Sequence, residues 1–106
     1  MSLAEAELSE EFYETLAEFC KSHANPKRLR ILHLLMAGEK SVGELCQLTG
    51  LSQPTISQHL SFMRKTGVVR ARREGNTVFY SLADKRVAEA CSILSRVVAE
   101  RVRTSR

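Results

Sequence analysis

No stretch of the 106 residues approaches the roughly 18 consecutive apolar residues that a membrane span requires. The first 20 residues carry no lysine or arginine, which argues against a secretory signal peptide. Cysteine is scarce: three residues, an odd number, do not make a disulfide framework. Without an export signal they read as reduced thiols in the cytoplasm. Repeats, low-complexity tracts and linkers are missing, so residues 1–106 read as a single domain. A phosphate-binding glycine loop, a catalytic carboxylate pair and a Cys–His dyad with an orienting partner are all lacking. A chain this short also has little room for a sizeable pocket. No catalytic residue, and so no enzyme, is expected.

What is present fits a folded protein. Apolar residues make up 43% and charged residues 26%, which excludes wholesale disorder. A domain of this size buries only about two-thirds of its unfolded surface, so pairing with a second copy would stabilise it. The net charge of +4 conceals an asymmetry. Residues 1–20 hold six glutamates, and residues 21–106 hold all 16 basic residues against six acidic ones. A basic body of this kind is the footprint of a polyanion binder.

Apolar spacing and turn residues predict five helices and a hairpin. Leu8, Phe12, Leu16, Phe19 and His23 recur at helical spacing, with Cys20 beside them, so the first helix spans about 8–23. Asn25-Pro26 starts a second helix to about Ala37, apolar nearly all round and therefore central. Ser41-Val-Gly-Glu44 has capping-box spacing and opens a third helix to Thr49. After Gly50, Ser52 caps a fourth helix from Gln53 to about Lys65. Val68–Arg73 and Thr77–Leu82 flank Glu74-Gly75-Asn76 as a β-hairpin. Asp84 caps a last helix to about Arg101. The expected class is mainly α, with some β, in the order α-α-α-α-β-β-α.

Two short helices joined by a glycine-containing turn form a helix-turn-helix, here about residues 41–65. Ile56, Leu60 and Met63 make the inward arc of the fourth helix, and Cys46 is the small residue at the helix crossing. Gln53, Ser57, Gln58, Ser61 and Lys65 fall on the opposite side by 3.6-residue periodicity. That face is polar, short and mostly uncharged, as base edges in a major groove require. Glutamine pairs bidentately with adenine, Ser52 and Ser57 can reach several bases, and the Thr55 methyl can touch thymine. His59, at the edge of this helix, is placed against phosphate or in packing. The hairpin, about residues 68–82, carries Arg70, Arg72 and Arg73 beside Arg64-Lys65. With Asn76 at its tip it forms a basic wing for phosphates or the minor groove. Val78 and Tyr80 are expected to face the core.

Five segments carry a family likeness. They are Ala24-Asn-Pro-Lys-Arg-Leu-Arg-Ile-Leu32, Ser41-Val-Gly-Glu-Leu45, Gly50-Leu-Ser-Gln-Pro-Thr-Ile-Ser-Gln-His-Leu60, Arg64-Lys-Thr-Gly-Val-Val69 and Arg72-Arg-Glu-Gly-Asn-Thr-Val-Phe-Tyr80. Together they resemble the ArsR/SmtB family of small bacterial transcriptional repressors, nearest to its sulfide- and redox-responsive branch. The resemblance implies a homodimeric winged helix-turn-helix, paired through the first helix and the last, about residues 84–101. It implies binding to an inverted-repeat double-stranded operator and release by an inducer, a thiol-reactive species or a metal ion. The alternative is a constitutive DNA-binding regulator with no ligand.

The family's recurrent sensor sites are each interrupted in this chain. The thiolate site on the third helix would need cysteines where Ser41 and Gly43 stand. The zinc site on the last helix retains Asp84 and Glu100, but Arg86 and Val97 replace its histidines. The dithiol site of the redox branch would fall near His33 and Ala99. No metal site or cofactor is therefore expected, and the inducer stays unknown. Cys20 and Cys91, both assigned to the dimer face, are the remaining thiol-sensor pair.

Overall fold

Helix starts are set by side chains that accept the first free amides. The computed structural model describes residues 9–104. Helix α1 (Glu10–Ser22) is capped by Ser9, whose hydroxyl accepts from the Phe12 amide at 3.0 Å. Glu10 and Glu11 lie in its first turn, where the helix dipole favours negative charge. Leu8, the first apolar position of the predicted stripe, lies outside the described residues. Helix α2 (Pro26–Leu35) has Asn25 accepting from the Lys27 and Arg28 amides. Helix α3 (Val42–Thr49) carries both halves of the expected capping box, Ser41 with Glu44. Gly50, at φ 75°, makes the left-handed turn into α4 (Gln53–Lys65), which Ser52 caps.

Helix α2 ends a little before the expected Ala37, because residues 36–38 tighten into a turn closed at Gly38. It is also less enclosed than its composition suggests. Ile31, Leu32 and Leu35 are buried, Leu29 and Leu34 are half-buried, and Met36 is exposed.

Strands β2 (Val69–Glu74) and β3 (Thr77–Leu82) pair antiparallel around Gly75-Asn76, in register Arg72↔Phe79 and Glu74↔Thr77. A two-residue strand, β1 (Lys40–Ser41), is a correction to the expected element order. It joins β3 on its other side, so the sheet order is β1-β3-β2. Two residues show no alternation, and their partner lies far along the chain, so the pattern carries no signal for them. Tyr80 packs against the core as expected, joined by Leu82, while Val78 is half-buried. Helix α5 (Lys85–Thr104) runs past the expected Arg101. Asp84 caps it: its carboxylate accepts from the Arg86 amide at 3.0 Å and from the Arg86 guanidinium. The guanidinium contact first, then the amide, pull the Asp84 carboxyl down to about 2.

The core lies where α2, α3, α4 and the base of the sheet meet. Ile31, Leu32, Leu45, Ile56, Leu60 and Met63 are fully buried there, joined by Val68, Val69, Ala88 and Cys91. Helix α1 contributes little. Its one buried residue is Ser22, although Phe19 packs against the core in part. Tyr13 and Leu16 on α1, and Ile93, Leu94, Val97, Val98 and Val102 on α5, stand exposed.

Candidate nucleic-acid interface

Helix α4 is divided as its periodicity predicts. Ile56, Leu60 and Met63 are at 0% exposure, and Gln53, Ser57, Gln58, Ser61 and Lys65 are exposed. The inward arc fixes the roll of the helix, and so fixes which side chains point out. Three of the predicted contact residues at α4 are partly engaged within the fold. The Ser52 hydroxyl donates to the Thr55 hydroxyl at 2.9 Å, and Thr55 is half-buried. His59 is half-buried too, with Arg28 Nη1 at 3.4 Å from its Nδ1. Burial, then the Arg28 and Lys27 charges, hold the His59 pKa below its ordinary value. The ring is therefore neutral near pH 7 and accepts through Nδ1, so His59 ties α4 to the start of α2. Arg28 also lies over the Phe62 ring at 4.6 Å, covering part of an aromatic on the outer side of α4.

The wing stands beside this face. Arg70, Arg73 and Asn76 are exposed. Arg72 is held: Nη2 and Nε bind Glu39, Nη1 donates to Glu74 at 2.8 Å, and its carbon lies 4.9 Å from the Phe79 ring centre. Glu39 was not among the predicted site residues. It lies in the turn after α2 and reaches Arg72 only through the pairing of β1 with β3, so neighbouring sequence gives no sign of it.

The two thiols line one cavity of about 460 Å³ between α1 and α5, together with His23 and Leu94. Cys20 is exposed and Cys91 is buried. Burial, then the nearby Cys20, push the Cys91 thiol up, so it stays protonated at neutral pH. His23 packs edge-on against Phe19 at 5.5 Å, and burial lowers its pKa. His33, Cys91 and Ala99 line a second cavity of about 410 Å³ between α2 and α5. Cys46 is half-buried against the core, the packing role expected of it. Among the described residues no three His, Cys, Asp or Glu side chains gather as metal ligands. No described helix is long and apolar enough to cross a membrane.

Residues 25–71 match the bacterial regulatory proteins of the arsR family. Over 99 residues the chain is 46% identical to the uncharacterized HTH-type transcriptional regulator Rv0081 of Mycobacterium tuberculosis, covering 89% of this chain and 87% of that one. The chain belongs to the ArsR family. The crystal structure of Rv0081 superposes on this ArsR regulator with a TM-score of 0.74 over 89% of this chain and 99% of that one, at 45% identity. The homodimeric winged helix-turn-helix DNA-binding domain of Mb0332 from Mycobacterium bovis superposes at 0.77, over 96% and 91%, at 33% identity. A probable mercury resistance operon repressor of Streptomyces lividans is 40% identical, over 92% of this chain and 78% of that one. The protein is thus a DNA-binding transcriptional regulator of the winged helix-turn-helix type, and not an enzyme.

Proposed function

We propose that this ArsR regulator is a cytoplasmic repressor, dimeric through α1 and α5, that binds an inverted-repeat operator and is released through its thiols. The observation that carries the DNA reading is the polar, mostly uncharged face of α4, aimed outward by a fully buried arc and bordered by the basic wing. Gln53, Ser57 and Gln58 read base edges, with Ser52 and Thr55 at the helix start. His59 steadies the helix, and Lys65, Arg73 and Asn76 meet the backbone. Arg72 belongs to the wing as its support. Pairing rests on the exposed apolar stripes of α1 and α5 and on the homodimeric Mb0332 neighbour. Such a dimer sets its recognition helices about 34–36 Å apart, one turn of DNA.

The test is fluorescence anisotropy on DNA from upstream of the protein's own gene, at fixed salt. Gln58→Ala is expected to cost roughly 1–3 kcal/mol there and little on random DNA. Equal losses on both would remove Gln58 from base readout.

Release is assigned to Cys20 and Cys91 because they line one cavity between the two pairing helices. The exposed Cys20 accepts sulfur from a sulfane-sulfur donor as a persulfide. Cys91 then displaces hydrosulfide to close a disulfide, which shifts α1 against α5. Treated protein is expected to bind the operator at least tenfold more weakly than reduced protein, about 1.4 kcal/mol. Unchanged binding would make both cysteines packing residues. It would favour the second reading, a regulator with no ligand of its own, which the protonated, buried Cys91 supports.

A further inference from the structure

Beyond the β1–β3 pairing and the packing at its base, one side-chain network ties the wing to the body of the fold. Arg72, on β2, spans from Glu39 in the turn after α2 to Glu74 at the end of its own strand, and its guanidinium covers Phe79 on β3. Glu39 takes two of its nitrogens and Glu74 a third. Three of its five N–H donors are engaged, so a phosphate would have to compete with two carboxylates for this guanidinium. Arg73, the next residue, is exposed and faces the other side of the strand.

We propose that Glu39 and Arg72 form a latch that sets the pitch of the wing against the helix-turn-helix, with Arg72 a positioning residue and Arg73 the phosphate cation. The proposal rests on the reading that the wing lies on DNA. Three groups meet at this side chain: Glu74 and Phe79 from the hairpin itself, and Glu39 from the α2–β1 turn, which alone of the three joins it to the body. Without that tie the hairpin is held to the body by the short β1–β3 pairing and by packing at its base. A freed wing must then be ordered when DNA binds, and that ordering opposes association.

The latch predicts effects that a simple phosphate contact does not. Lysine keeps the charge of arginine but not its fork. Arg72→Lys, Arg72→Ala and Glu39→Gln are each expected to weaken operator binding by roughly two- to fivefold, the scale of a partly exposed ion-pair network. All three should leave the salt slope unchanged. Arg73→Ala should flatten it by about 0.9 per protomer. The Glu39→Gln result is the sharpest, because removing a negative charge near DNA would otherwise tighten binding. Tighter binding by Glu39→Gln would overturn the latch, as would wild-type affinity in Arg72→Lys with a flattened slope in Arg72→Ala. Hydrogen exchange on the DNA-free protein separates the latch from the DNA reading. Glu39→Gln should speed exchange of the amides across residues 72–80, whether or not the wing touches DNA. Unaltered exchange there would also overturn the latch. A wild-type protein without salt-dependent operator binding would instead sink the DNA reading.

Discussion

Leu60→Ala is expected to lower the free energy of unfolding by about 2–5 kcal/mol. Leu60 is fully buried on α4, in a cluster with Ile31, Leu32, Leu45, Ile56 and Met63 from three different helices. Cutting its isobutyl side chain back to a methyl leaves a void walled by side chains on separate elements. Such a void closes only if the helices move. A domain of this size has about 5–15 kcal/mol in total, so the loss is a large share. Urea unfolding at one protein concentration measures it, with Ser61→Ala, one residue along on the exposed side, as the control. A change below about 1 kcal/mol would mean that the core repacks around the gap, and that α4 is not fixed by this arc. Operator affinity of the folded fraction should fall as well, because the same arc aims Gln53, Ser57 and Gln58.

The second large effect belongs to the pairing face. Leu94→Glu with Val98→Glu is expected to leave a monomer folded everywhere but α1 and to weaken operator binding by at least about 100-fold. Leu94 is 64% exposed and Val98 57% exposed in the single chain, so glutamate there costs the monomer little. In the proposed dimer both would be covered, and unpaired charges in such an interface oppose association strongly. The DNA effect is larger than the change in any one contact, because a dimer binds its second half-site at high effective concentration. Sedimentation gives the oligomeric state and circular dichroism checks the fold. A wild-type protein that sediments as a monomer, or a variant that still sediments as a dimer, would remove α1 and α5 as the pairing helices.

Features written within a few neighbouring residues were legible in the sequence. The caps at Asn25, Ser41, Ser52 and Asp84, the turns at Gly50 and Gly75, and the inward arc of α4 all depend on local spacing. Features made by distant segments were not. Strand β1 exists because Lys40 and Ser41 meet Tyr80 and Phe79, and the Glu39–Arg72 pair follows from that meeting. His59 reads from the sequence as an edge residue, against phosphate or in packing, but nothing near it names Arg28, on another helix, as its partner. Cys20 and Cys91 shared an expected face on the strength of two separate apolar stripes. The structure brings both to one cavity but leaves one exposed and the other buried, a difference set by packing rather than by periodicity.

Helix α1 buries one serine and little else within its own chain. An isolated helix of its 13 residues is marginal in water, so most of its order has to come from outside. In the proposed dimer that source is the other copy, and folding of α1 and association become a single event. Dilution then costs the protein twice: it loses its second DNA-reading unit and unwinds its acidic end together. Trypsin, which cuts after Lys21, would report this directly, with cleavage rising as the protein is diluted through its dimer dissociation constant. The amount of protein in the cell would set how much of it is fully folded, and hence how much can compete for a regulatory site.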